Sequence, residues 1–216
     1  MSRVYLLVEG QTEEAFVNEL LVPHYAGIGL YLTAVIVSTS PGYKGGVVSY
    51  AKIKPQIEKL CKRDPAAYVT TLFDLYALPK DFPGKSSAAY PVAASGVQKA
   101  QFLENQLASD VKLRNFIPNL LVHEFEALLF VHLDAFQQWT DDDAVLEPLR
   151  AARRAAAPED INDSAQTAPS KRILAALNVY QKTFHGPLIA CDIGLHAMRQ
   201  DCPHFDAWLK KIEGLA

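Results

Sequence analysis

The sequence predicts an α/β protein, a parallel sheet flanked by helices and followed by a helical C-terminal portion. Three observations predict it. The run Val4-Tyr5-Leu6-Leu7-Val8 is apolar without alternation, as a strand buried on both faces requires. Strand and helix patterns alternate through roughly the first 130 residues, which calls for parallel strands joined by right-handed crossovers. Beyond that point the chain reads as helix, with Pro187 to Ala190 the one further strand candidate.

In chain order, the first strand stops at Glu9, and Gly10 marks a turn. Gln11-Thr12-Glu13-Glu14 opens a helix, with Thr12 as its N-cap and the glutamates at the positive end of its dipole. Ala15, Phe16, Leu20 and Leu21 give that helix an apolar face. Leu32 to Val37 is the second strand candidate, followed by Ser38 to Gly42 and the loop Tyr43-Lys44-Gly45-Gly46. A helix then runs to about Arg63, broken or kinked near Pro55, whose ring cannot accept a regular helix bond. Tyr68 to Phe73 is the third strand and ends on Asp74; proline and glycine mark 77–85 as loop. A helix from about Val97 to Val111 leads to a fourth strand, Pro118 to Val122. That strand runs into His123-Glu124-Phe125-Glu126 and the helical stretch Ala127 to His132. Residues 1–133 are read as an α/β core and 134–216 as a helical extension packed on it, with 134–168 an acidic insertion or lid.

Half of the 216 residues are hydrophobic and 21% are charged, enough apolar material for a sizeable core. The net charge of −3 is no global nucleic-acid signature. Between Asp134 and Asp163, however, eight acids face three arginines, so the rest of the chain is slightly basic and can offer an anion a favourable face. Cys61, Cys191 and Cys202 share no CxxC spacing, which argues against a disulfide framework or zinc ribbon. Neither a secretory leader nor an apolar stretch of membrane-spanning length is present, so the expectation is a cytoplasmic protein without membrane association.

Ligands of open parallel sheets bind beyond the carboxyl ends of the strands. Three predicted strands end there on acids: Glu9, Asp74 and Glu124. Carboxylates gathered at one edge repel unless protons or a cation relieve them, and a hard divalent metal, Mg²⁺ or Mn²⁺, is the economical cation. Glu13, four residues after Glu9, can reach back to the same place, or serve only the helix dipole. Glu126 is either a metal ligand or an anchor of the strand–helix junction; His123 reads as an anchor or a proton carrier. The spacing is not HExxH. Ala168-Pro169-Ser170-Lys171-Arg172 looks like a helix start capped by Ser170 or Thr167, where free amides and two cations suit a phosphate, although such residues are also common on surfaces. No Walker loop, dinucleotide fingerprint or GxSxG elbow occurs.

The string Val8-Glu9-Gly10-Gln11-Thr12-Glu13-Glu14 resembles the first motif of the Toprim superfamily, in which a glutamate follows the first strand. Taken with Phe73 to Pro79, His123 to Phe130 and Ala168 to Arg172, it is similar to the prokaryotic family described as domain of unknown function 4276, itself similar to RloB and OLD-type Toprim proteins. The resemblance runs from Val4 to about Trp208. It implies a Toprim-like fold, Mg²⁺-dependent cleavage of nucleic acid, and Glu9 and Asp74 as the acidic pair. It also implies a place in phage-defence or mobile-element systems beside an ATPase partner. The second Toprim motif is Asp-x-Asp, whereas Tyr76 stands at its second acid, which leaves Glu13, Glu124 or Glu126 to complete the site.

The expectation is therefore a metal-dependent nuclease in which Glu9 and Asp74 hold the metal and Lys171 or Arg172 steadies the phosphoryl oxygens. Its rival is a non-catalytic partner or sensor subunit that binds nucleic acid, nucleotide or an ATPase. A phosphohydrolase acting on a small substrate is a third reading of the same metal site.

Overall fold

The structure, a computed structural model, describes residues 1–40, 43–44, 49–161 and 167–216. Gly45 and Gly46 of the glycine loop and Asp163 of the acidic stretch lie outside the described residues. The first half contains β1 (Ser2–Val8), α1 (Gln11–Phe16), α2 (Val22–Ala26), β2 (Leu30–Ile36), β3 (Ser38–Ser40), β4 (Tyr43–Lys44), α3 (Tyr50–Arg63) and β5 (Tyr68–Asp74). Next come α4 (Gly96–Val111), β6 (Phe116–Ile117) and β7 (Leu120–Leu121). Short 3₁₀ turns follow, including Phe125–Val131, and then α5 (Glu147–Ala155), α6 (Pro169–Ala176), α7 (Lys182–Ile193), α8 (Leu195–Asp201) and α9 (Pro203–Glu213).

The sheet is parallel throughout, ordered β2-β1-β5-β6 with β7 also paired to β5; β3 and β4 form a separate antiparallel pair. β1 is apolar on both faces because both are covered. Val4, Leu6 and Val8 pack toward α1 and the C-terminal helices, while Leu7 packs toward α3 and α4. The fourth strand is split in two rather than continuous. Pro118 has no N–H to offer, and Asn119 turns to Thr71: its N–H donates to Thr71 Oγ1 at 3.1 Å, and its side chain donates to the Thr71 carbonyl at 3.2 Å.

Several helix boundaries differ from the sequence expectation, each for a physical reason. Gly10, extended at φ −161°, is the N-cap of α1, and Thr12 is buried inside the helix. α1 continues through a π-helical stretch, Val17–Leu21, into α2. Pro55 lies within α3 without ending it. Ala51 and Pro55 are both exposed, so the carbonyl that loses its partner is open to water. Pro187 to Ala190 is helix, not strand. Gly186, Ile189, Ala190 and Ile193 are buried at a helical spacing, on the side of α7 that packs on α1.

These choices set the site. β1 and β5 are neighbours in register, Val8 opposite Leu72, so Glu9 and Asp74 leave the same edge of the sheet. Phe73 pairs with Leu120 and Asp74 with Leu121, which brings 122–126 to that edge as well. Among the described residues, no helix is long and apolar enough to cross a membrane.

Candidate functional site: a carboxylate cluster around one ammonium

Four carboxylates converge beyond the carboxyl ends of β1 and β5. Glu9 Oε1 accepts the Asp74 N–H at 2.7 Å, tying the end of one strand to the end of its neighbour. Asp74, 6% exposed, accepts the Phe125 N–H on Oδ1 at 2.9 Å. Glu13, in the first turn of α1, folds back so that its Oε2 accepts the Gly10 N–H at 2.9 Å. Glu126 is fully buried in the 3₁₀ turn after β7, and the Tyr180 hydroxyl donates to its Oε1 at 3.4 Å. The cation among them is Lys182, the first residue of α7. Its Nζ lies 3.0 Å from Glu126 Oε2 and 3.6 Å from Asp74 Oδ2.

The electrostatics follow from packing several acids in a dry place. Burial is the main cause that lifts Asp74 to about 7, against the pull of Lys182. Burial likewise brings Glu126 to about 7, again opposed by Lys182. Glu9 sits well above the usual carboxylate range, from burial first and then from the charge of Asp74, and burial raises Glu13. For Lys182, burial favours the neutral amine, but Asp74, Glu126 and Glu13 outweigh it and keep the ammonium charged. One ammonium therefore serves more carboxylates than it can neutralise.

The remaining residues singled out from sequence occupy the surroundings. Glu124 is buried but engages Ser170, whose N–H donates to Oε1 at 2.6 Å and whose hydroxyl donates to Oε2 at 3.1 Å. An anion does sit at the start of α6, and it is this carboxylate. Ala168 takes the N-cap position, without a side-chain bond of its own. Lys171 and Arg172 line a separate shallow cavity of about 230 Å³ with Thr167 and Pro148, and Arg172 Nε donates to the Thr167 carbonyl at 2.7 Å. His123 adopts a left-handed φ of 65° and packs its ring against Gly96 at the start of α4. Tyr76 is 48% exposed, and its N–H donates to the His123 carbonyl at 2.9 Å.

Lys182 escaped the sequence reading, although a signal for it exists. It lies four residues before Gly186 and seven before Ile189, on the stripe that α7 buries. A lysine in register with a buried stripe needs a partner. With Pro187 to Ala190 read as a strand, no stripe was visible. Gly186 is what lets α7 approach so closely. A Cβ there would sit 3.1 Å from Tyr180 Oη, 3.2 Å from Phe125 and 3.5 Å from Thr12 of α1.

The donor set suits a hard divalent cation, since it is all carboxylate oxygen, buried at Glu13, Asp74 and Glu126 and half-buried at Glu9, and in excess over the cationic charge present. The fully buried Glu126 Oε2 is held by its ion pair with Lys182 at 3.0 Å. Among the described residues, no three acidic, histidine or cysteine side chains are already gathered at ligand distance. The chemistry of the donors fits, and their present spacing is the one set around Lys182.

The model of the family described as domain of unknown function (DUF4276) matches residues 8–213. Neither a curated protein nor a solved structure matches the chain.

Proposed function

The chain belongs to the family described as domain of unknown function (DUF4276), and for this member we propose a metal-dependent phosphodiesterase that cleaves DNA or RNA. The observation that carries the reading is the convergence of Glu9, Glu13, Asp74 and Glu126 at the carboxyl edge of a parallel sheet, around one ammonium. Mutual repulsion and burial make this arrangement costly for stability, which is the mark of a site kept for chemistry. The Toprim-like assignment belongs to the same proposal. Glu9 follows the first strand and bonds the backbone of Asp74 on the adjacent strand. Glu126, buried beside Asp74, is the carboxylate that stands in for the acid absent at Tyr76.

Glu9 and Asp74 would hold Mg²⁺ or Mn²⁺, with Glu13 and Glu126 completing the set. A metal there polarises the scissile phosphate and eases the deprotonation of an attacking water. The chain's own groups do the rest. Asp74 and Glu126, raised to about 7 by burial in the metal-free protein, give up their protons near neutral pH and would then be free to act as ligands. Tyr180 holds Glu126 Oε1 and fixes the direction of the other oxygen. His123, buried after β7, is proposed as a proton carrier, and the exposed Lys171, with Arg172, meets phosphates farther along the strand. A setting in phage defence or a mobile element, with an ATPase partner, fits this activity.

Cleavage assays test the reading directly. Purified protein is offered labelled DNA and RNA with Mg²⁺ or Mn²⁺, alone and with an ATPase encoded beside it. Glu9→Gln and Asp74→Asn should each lower metal-dependent cleavage by roughly a hundredfold or more while the fold persists, the scale on which a catalytic metal site operates. Absence of cleavage by the parent protein under all these conditions counts against it.

One observation favours a second reading, that of a binding or sensor subunit. Lys182 already pairs with Asp74 and Glu126, so the site has a cation without any metal. Calorimetry separates the readings: no Mn²⁺ uptake that depends on Glu9 selects the second.

A further inference from the structure

We propose that Lys182 is an exchangeable counter-cation, holding the carboxylates in the metal-free protein and moving to a substrate phosphate when a divalent cation takes its place. The inference rests on the metal-dependent reading above and adds to it a coupling between metal and substrate.

The hydrogen bonds show which oxygens are at stake. Each of the four carboxylates commits one oxygen to the protein: Glu9 Oε1 to the Asp74 N–H, Glu13 Oε2 to the Gly10 N–H, Asp74 Oδ1 to the Phe125 N–H and Glu126 Oε1 to the Tyr180 hydroxyl. These bonds orient the carboxylates. Two of the second oxygens, Asp74 Oδ2 and Glu126 Oε2, face Lys182 Nζ. A divalent cation bound by this set would need the same oxygens. Ammonium and metal cannot share them, because two cations at contact in a poorly hydrated place repel strongly.

Lys182 also has somewhere to go. Its side chain is 39% exposed, whereas those of Asp74 and Glu126 are 8% and 0% exposed. It springs from the first residue of α7 on a flexible four-carbon stem, so its ammonium can swing outward without unwinding the helix. The acids stay buried where they are. In solvent at the mouth of the site, the anion that would receive the displaced ammonium is the phosphate of the substrate. Metal and nucleic acid then assist one another: each alone pays to separate Lys182 from the carboxylates, and together they replace both halves of the ion pair. Linkage requires the assistance to be reciprocal.

Mn²⁺ titration by calorimetry, on the parent protein and on Lys182→Gln and Lys182→Arg, tests this with and without a phosphorothioate DNA oligonucleotide. Lys182→Gln should bind Mn²⁺ about tenfold or more tightly than the parent when no oligonucleotide is present, and should lose the tightening that the oligonucleotide gives the parent. Lys182→Arg, which keeps the charge, should behave as the parent does. A second measurement needs no variant: acylation of the Lys182 amine, followed by mass spectrometry, should accelerate severalfold when Mn²⁺ is added to the parent. Equal or weaker Mn²⁺ binding by a folded Lys182→Gln protein overturns the exchange while leaving the metal site standing. Acylation that Mn²⁺ leaves unchanged, although Mn²⁺ binds, overturns it too. If no protein takes up Mn²⁺, the exchange and the metal-dependent reading fall together. If the exchange is seen but nothing is cleaved, the exchange stands and the nuclease reading falls.

Discussion

Asp81, Glu124 and Glu159 each accept backbone N–H groups at the start of a helix far from them in sequence. Asp81 serves Tyr50 and Ala51 of α3, Glu124 serves Ser170 of α6, and Glu159 serves His204 and Phe205 of α9. A carboxylate so placed meets amides that need an acceptor and the positive end of a dipole, so it stabilises the fold. Replacing Glu124 with Ala should lower stability by about 1–2 kcal/mol in a urea melt. Burial offsets part of this stabilisation at Glu159, whose carboxyl it raises, and dominates in the cluster. Free carboxyls of the unfolded chain lose their protons near pH 4, whereas Asp74 and Glu126 keep theirs in the fold to about 7. The folded state therefore binds more protons between those values, and stability falls as pH rises through that window. In chelator, the melting temperature should be higher at pH 5.5 than at pH 8, by at least about 3 °C, the equivalent of roughly 1 kcal/mol at this size. Asp74→Asn should flatten that fall. For the buried His204, burial lowers the imidazole but its bond to Glu104 outweighs it, so its stabilisation is lost as pH rises past the ordinary histidine value and adds a decline in the same direction. Glu9, Glu13, Asp74 and Glu126 differ from the capping acids only in what surrounds them, and sequence offers no view of that.

At the scale of elements, the first half of the chain was largely legible and α7 was not. β1 and β5 carry their instructions locally, as apolar runs that end on acids, and the sheet needs nothing further to place Glu9 beside Asp74. The fourth strand was legible as a strand but not as two pieces, because the Asn119 bonds that split it go to Thr71, 48 residues away. α7 contains Gly186 and Pro187, both poor helix formers, and becomes a helix because its small face fits onto α1. Tertiary packing overrode local preference there, and Lys182 came with it. Gly186→Val should accordingly destabilise the protein by about 1–3 kcal/mol, since a branched side chain must displace Tyr180 or Phe125. Thermal melts of the variant measure it, and an unchanged melting point would show that α7 has room to shift. The segment between β5 and α4 has neither helix nor strand, yet it is fastened by buried Leu75, Leu78 and Phe82 and by the Asp81 cap on α3.

For the whole molecule, one apolar core runs from the inner face of the sheet to the last helix. Val4, Leu6 and Leu72 belong to the same cluster as Leu146, Ile173, Phe205 and Trp208, and the Trp208 indole donates to Thr70 Oγ1 of β5 at 2.9 Å. A fragment ending at residue 133 would expose the sheet face that these side chains cover. It should fail to give a cooperative melt, whereas the full chain should unfold in one transition. Trp208→Ala, which removes a side chain 1% exposed, should cost about 3–5 kcal/mol by denaturant melt. The sequence by itself determined the fold class, the family, and the edge of the sheet at which acids would collect. Those are consequences of local hydrophobic pattern and of where strands end, which neighbouring residues settle among themselves. Only the tertiary structure decided which acids cap helices, which crowd together, and that Lys182 stands among the latter. Those outcomes depend on burial and on partners tens to a hundred residues distant, and the energy of a charge is set by what surrounds it once the chain has closed.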